Sequence, residues 1–181
     1  MLTTGQAVEG FWNAYNAHDL EALLSLVDEG VVVRFPLSDE PIAGKSDVSA
    51  IWSLIFYQLV PDIHQEIVTA VVDDQSAAFE LIESGTLRLP SVGSPPDISG
   101  PRKYEHRVAV FLSVNGSGYI DRIDFYWDTD AFARKLGLNA EALKDFRAHA
   151  VGLGQWVGRA TSTQAARVVP EAGAQQLRTV A

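Results

Sequence analysis

Four side chains in this sequence have the type and placement for proton chemistry: Glu83, His106, His64 and Asp128. Glu83 interrupts a face that Phe79, Leu81, Leu87 and Leu89 share at period-two spacing. An unpaired carboxylate there would have a raised pKa suited to acid–base work, whereas one at a strand rim simply reaches water. The face that carries His106 continues as Val108, Val110 and Leu112, so its imidazole should point inward, as a proton-transfer group or as a hydrogen-bonded strand histidine. With Gly85 opposite His106, Glu83 would be a diagonal neighbour roughly 7–8 Å away, close enough to orient the ring and raise its basicity. His64 opens a strand, and no third ligand follows His64 and Glu66 at a useful spacing, so no metal site is expected. Asp128 suits a helix N-cap and can also serve a pocket. Tyr15, Tyr57 and Tyr104 could donate hydrogen bonds to a substrate oxygen.

These residues need a sheet with one apolar face and helices to cover it. Tyr104 to Val114 reads as a strand, Asn115-Gly116-Ser117-Gly118 as a tight turn, and the return places Ile123, Phe125 and Trp127 on one face. Asp128 or Thr129 can cap a short helix that Gly137 ends. Upstream, Thr3 and Gln6 form a capping-box signature ahead of Val8, Phe11, Trp12 and Tyr15 at helical spacing. Asp19 caps a second helix through Val27, ended by Gly30, and Val31 to Phe35 reads as a strand stopped by Pro36. Ser46 can cap a third helix burying Val48, Ile51, Trp52, Ile55, Phe56 and Leu59, with Pro61 at its end. Residues 62–73 and 77–89 read as two more strands, and Pro90 to Pro101 as a loop arching over one rim. The layout is α+β: a curved antiparallel sheet wrapped around helices, leaving a conical hollow suited to a small molecule. Residues 1–138 would form this domain, 139–158 an additional C-terminal helix and 159–181 a flexible tail.

The chain has 181 residues, a net charge of −9 and no cysteine. Disulfides, thiolate metal sites and cysteine nucleophiles are excluded. The negative charge disfavours nucleic acid and anionic membranes as partners, and no apolar run is long enough to span a bilayer. The N-terminal stretch lacks a basic region and cleavage site, so a cytoplasmic location is the default expectation.

Several phrases, with the element order over roughly residues 5–138, resemble the nuclear-transport-factor-2-like superfamily, especially SnoaL-like polyketide cyclases and ketosteroid isomerases. Ser84-Gly85-Thr86 and Ile98-Ser99-Gly100 are similar to the cyclases' "GTH" and "PTG" segments. Asp128 followed by Leu136-Gly137 resembles their closing Asp and "QLG" ending. Val33-Arg34-Phe35-Pro36, Asp39-Glu40-Pro41 and Gly44 resemble the isomerase segment that holds its general base. Aligned in this way, Phe35 stands at the isomerase base, Phe11 at its oxyanion tyrosine, Val110 at its protonated acid and Phe125 near the cyclases' aspartate. Ketosteroid isomerase chemistry is thereby disfavoured. Scytalone dehydratase, another relative of the fold, has histidines placed similarly to His64 and His106.

The resemblance implies cofactor-independent isomerisation, cyclisation or dehydration of a hydrophobic polyketide- or terpenoid-like substrate. His106 would be the base or acid, Glu83 its orienting partner, and a tyrosine or His64 the group polarising an oxygen. Trp12, Tyr15, Phe35, Trp52, Phe56, Tyr57, Phe79, Leu81, Tyr104, Val108, Val110, Phe125 and Trp127 would line the hollow around a flat or hydrophobic molecule. A limonene-epoxide-type hydrolase is the enzyme rival, but Arg107 and Asp124 fall on the polar faces of their strands. A carrier or sensor of a hydrophobic ligand is the non-enzyme rival. Pairing through the outer sheet face, burying Tyr126 and Ile82, would give a homodimer.

Overall fold

The computed structural model describes residues 2–38, 40–89 and 100–137. The expectations for Asp39, for the 90–99 loop and its Ile98-Ser99 phrase, for the 139–158 helix and for the 159–181 tail lie outside the described residues.

The chain opens with α1 (Thr4–Asn16), started by the expected reciprocal cap: Thr3 Oγ1 accepts from the Gln6 backbone N–H at 3.2 Å, and Gln6 Oε1 accepts from the Thr3 N–H at 3.0 Å. Asp19 caps α2 (Leu20–Ser25), which is shorter than expected. Val27 belongs instead to β1 (Val27–Arg34), because it is fully buried and pairs with Ile120. The ladder breaks between Val27 and Val32, next to Gly30, so the glycine marks an irregular strand rather than a helix end. A two-residue strand, β2 (Ile42–Ala43), leads into α3 (Lys45–Leu54), whose cap is Gly44 at φ 91° rather than Ser46. A π-helical turn, Ile55–Leu59, closes that helix before Pro61.

The remaining elements are β3 (His64–Val72), β4 (Ser76–Leu89), β5 (Gly100–Val114), β6 (Ile120–Tyr126) and α4 (Thr129–Lys135). They build a six-stranded sheet in the order β2-β1-β6-β5-β4-β3. The fold is α+β, an open, curved sheet with helices on its inner side. All pairings are antiparallel except β1 with β6, so the sheet is mixed. The parallel pair joins two strands more than eighty residues apart in sequence, which no local pattern announces.

Alternation sorts the two faces. On β5, Tyr104, His106, Val108, Val110, Leu112 and Val114 are buried, while Arg107 and Phe111 face out. Against the inner face, α1, α3 and the π-helical turn lay Phe11, Trp12, Tyr15, Trp52 and Phe56, which meet edge-on or tilted at centroid distances of 4.9–6.1 Å. Burial of each such ring is worth roughly 1.5–3 kcal/mol. Gly85 sits where the end of α3 crosses β4: a Cβ there would lie 2.4 Å from Val60 Cγ1, so only glycine permits the approach. Among the described residues no helix is long and apolar enough to cross a membrane.

Candidate active site

Three neighbouring strands each contribute one polar side chain to a single row across the inner face. Gln65 of β3 pairs with Glu83 of β4, and Glu83 pairs with His106 of β5. Glu83 and His106 are thus directly opposite, and Gly85 faces Tyr104 instead. A two-residue shift leaves every side chain on its own face, so the apolar alternation could not distinguish the two registers.

The carboxylate of Glu83, with 15% of its side chain exposed, is held by donors on both oxygens. Tyr104 donates its hydroxyl to Oε1 at 3.0 Å, and Gln65 donates Nε2 to Oε2 at 2.5 Å. His106 Nε2 lies 3.3 Å from Oε1. An ionised carboxylate only accepts, so this contact places the imidazole proton on Nε2 and leaves Nδ1 of the neutral ring with a bare lone pair. Nδ1 is buried and has no partner. Glu83 thus meets His106 through Nε2, while Nδ1 stays without a partner.

Second contacts hold this row in place. Asn16, at the end of α1, exchanges two hydrogen bonds of 2.9 Å with the Gln65 backbone, fixing β3 against the helix. Phe132, in the first turn of α4, stacks on the His106 ring at 4.5 Å and 29°, while Trp127 and Tyr104 meet it edge-on at 5.7 and 5.5 Å. Burial, and then the charge of Glu83, push the Tyr104 phenol far above its ordinary pKa, so it stays a donor. The same two causes, in the same order, raise Tyr15.

Among the described residues, buried polar atoms of the inner face and its covering helices without a hydrogen-bond partner include five: His106 Nδ1, Gln65 Oε1 and the indole Nε1 of Trp12, Trp52 and Trp127. Each such group costs roughly 1–3 kcal/mol when left unpaired. Four of the five belong to side chains expected to line the site.

Of the expected site residues, Trp12, Tyr15, Trp52, Phe56, Phe79, Leu81, Tyr104, His106, Val108, Val110 and Phe125 are buried on the inner side. Phe35 is half-buried and stacks on Phe125 at 5.0 Å and 11°. Three others are placed elsewhere. His64 is exposed, because the alternation of β3 turns its neighbour Gln65 inward. Tyr57 is 58% exposed on the π-helical turn. The exposed Asp128 is a cap: its Oδ1 accepts from the Asp130 and Ala131 N–H groups at 3.0 and 2.9 Å. Gln65 and Phe132 went unnoticed in the sequence. Gln65 is the polar interruption of β3 that faces Glu83, and Phe132 lies one turn beyond the Asp128 cap, the spacing that aims a side chain back at the sheet.

Among the described residues the hydrolase set is not assembled on this face. Asp124 is buried on the outer face, bridging Arg34 at 3.1 Å and Arg122 at 2.5 Å, and Arg107 pairs there with Glu80. Burial alone would raise the pKa of Asp124, but the two guanidinium partners outweigh it and hold the carboxyl below its usual value. Among the described residues no group of three or more His, Asp or Glu side chains is placed to hold a metal ion.

A family model, the SnoaL-like domain, matches residues 8–123. No curated protein matches the sequence. Among solved structures, a protein assigned as a polyketide cyclase from Pseudomonas putida KT2440 superposes with a TM-score of 0.62 at 21% identity, covering 75% of this chain and 98% of its own. Rv0760c of Mycobacterium tuberculosis, solved with estradiol-17β-hemisuccinate, has a TM-score of 0.57 at 19% identity, covering 71% and 97%. The epoxide hydrolase/cyclase-like SalBIII, concerned with pyran-ring formation in salinomycin, has 0.56 at 14%, covering 69% and 90%. At these identities the likeness speaks for the fold. With its family model spanning well over half the sequence and its sheet wrapped around helices, the chain belongs to the SnoaL-like domain family.

Proposed function

We propose that this protein is a cofactor-independent enzyme that moves a proton on a hydrophobic polyketide- or terpenoid-like small molecule, driving isomerisation, cyclisation or dehydration. The observation that carries this reading is the His106–Glu83 pair, with Nε2 against a fully engaged carboxylate and Nδ1 buried without a partner. In the reaction, Nδ1 takes a proton from an acidic C–H or O–H of the substrate. The imidazolium so formed is stabilised by Glu83, and the proton returns to the product from the same nitrogen. Family membership and cyclase-type neighbours support this class of chemistry. A neighbour holding a steroid ester, and another that is a designed 17-OHP binder, support a hydrophobic ligand.

The test starts with mass spectrometry of what co-purifies with the protein, followed by turnover of that compound. His106→Ala should abolish turnover with the circular dichroism spectrum unchanged, and retained turnover removes His106 from the mechanism. The second reading is a carrier of a hydrophobic ligand, favoured by Phe11, Phe35, Val110 and Phe125 standing where the resemblance puts catalytic groups. A carrier has no pH–rate profile, so a bell-shaped one decides for the enzyme. We also propose that the protein works as a homodimer joined through the outer sheet face, where Phe111 and Tyr126 are each 51% exposed.

A further inference from the structure

Withdrawing a proton beside a carbonyl leaves negative charge on oxygen, and that oxygen needs a donor. The groups the sequence offers for this are otherwise engaged. The Tyr104 hydroxyl is given to Glu83, His64 is exposed and Tyr57 faces out. Tyr15 packs its ring against Phe56 at 5.0 Å, and its phenol lies in the field of the Glu83 carboxylate, which disfavours a second negative charge beside it. The indoles of Trp12 and Trp52 carry unpartnered N–H groups, but their rings meet Phe11, in the α1–α3 aromatic layer. Trp127 differs. Its Nε1–H is buried and unpartnered, and its ring stands 5.7 Å from His106 at 75°. Both rings meet Phe132, at 6.3 and 4.5 Å. A bare acceptor and a bare donor thus occur on adjoining rings, and a hydroxyl- or enol-bearing ligand offers one group to each.

We propose that Trp127 is a catalytic residue whose Nε1–H donates to the substrate oxygen that becomes enolate-like as His106 Nδ1 takes the neighbouring proton. This rests on the proton-transfer reading of His106. The C–H or O–H electron pair moves toward that oxygen, the proton goes to Nδ1, and the indole keeps its own proton throughout. Trp127 is therefore a hydrogen-bond donor and never an acid, so the returning proton comes from His106.

The probe is 2-naphthol, whose ionised oxygen mimics an enolate and whose absorption spectrum reports its ionisation. In the wild-type protein, its binding should shift the Trp127 indole N–H resonance downfield and raise the bound naphtholate fraction. Trp127→Phe should weaken naphtholate binding roughly tenfold or more, as loss of a hydrogen bond to a charged group does, while Tyr119→Phe, at an exposed ring, leaves it within about twofold. An unmoved Trp127 resonance, or an unaffected W127F variant, overturns the inference. Absence of binding at millimolar 2-naphthol overturns it too. His106→Ala separates the two readings: loss of naphthol ionisation there, with W127F silent, leaves His106 as base and removes Trp127. Unchanged ionisation in H106A removes the base itself.

Discussion

Glu83 shows how one carboxylate can be kept on an apolar face. It is matched on one side by Gln65, on the other by His106, and from the next row by Tyr104, so both of its oxygens are engaged within the chain itself. The phenol of Tyr104 answers to the same carboxylate. Burial first, and Glu83 second, hold its pKa well above that of a free tyrosine. The unfolded chain releases this proton near pH 10 while the folded one keeps it, so stability should fall as pH rises past that point. Tyr104→Phe should lessen that decline, leaving the part due to Tyr15, in urea denaturation measured from neutral to strongly alkaline pH. An equally steep decline in the variant would mean that Tyr104 is not the group responsible. Glu83 and His106 were legible in the sequence because a charged residue and an imidazole interrupt clean apolar alternations. Gln65 was not, since a neutral amide beside His64 carries no titratable signal, and only the register reveals which of the two faces inward.

At the scale of elements, caps and turns were the most readable features, because each is settled within four residues. Thr3–Gln6, Asp19 and Asp128 all start helices where the sequence puts them. The boundary between α2 and β1 was not readable. Leu20 to Val27 has helical spacing, yet Val27 is claimed by β6, with the Ile120 N–H donating to the Leu26 carbonyl at 2.9 Å across the chain. Tertiary pairing there outweighs local propensity. Gly85 shows the same dependence on distant contacts: a phrase that resembles a family motif is, physically, the place where β4 passes under Val60 and Ile63. Gly85→Ala should force the π-helical end of α3 away from the sheet and cost about 1–3 kcal/mol, the range for overpacking. Urea denaturation measures this, and a loss below about 0.5 kcal/mol would show that the contact relaxes freely. Tyr104 Oη lies 3.5 Å from the same Cβ position, so the substitution should also disturb the hydrogen bond to Glu83.

For the molecule as a whole, the two faces of the sheet carry different side chains. The inner face holds the polar row among aromatic rings. The outer face carries Val71, Phe111 and Tyr126, each at least half exposed, around a shallow groove of about 770 Å³ bordered by the Arg122–Asp124 pair. Exposed aromatic side chains flanked by paired charges suit an interface core with a polar rim. A homodimer through this face has to bring together two chains of net charge −9, so long-range repulsion opposes it and salt should strengthen it. Sedimentation across a concentration series should give a dimer whose dissociation constant falls as sodium chloride rises. Phe111→Glu adds a charge at the centre of the contact and should weaken association at least about thirtyfold, the effect of losing a hot-spot residue. His106, on the inner face of the same strand, should keep its ring resonances at fixed pH unmoved in that variant. A monomer at every concentration and salt, or a dimer indifferent to Phe111→Glu, would assign the outer face no role in self-association. A dimer lost together with displaced His106 ring resonances would instead mean that the two faces communicate through β5.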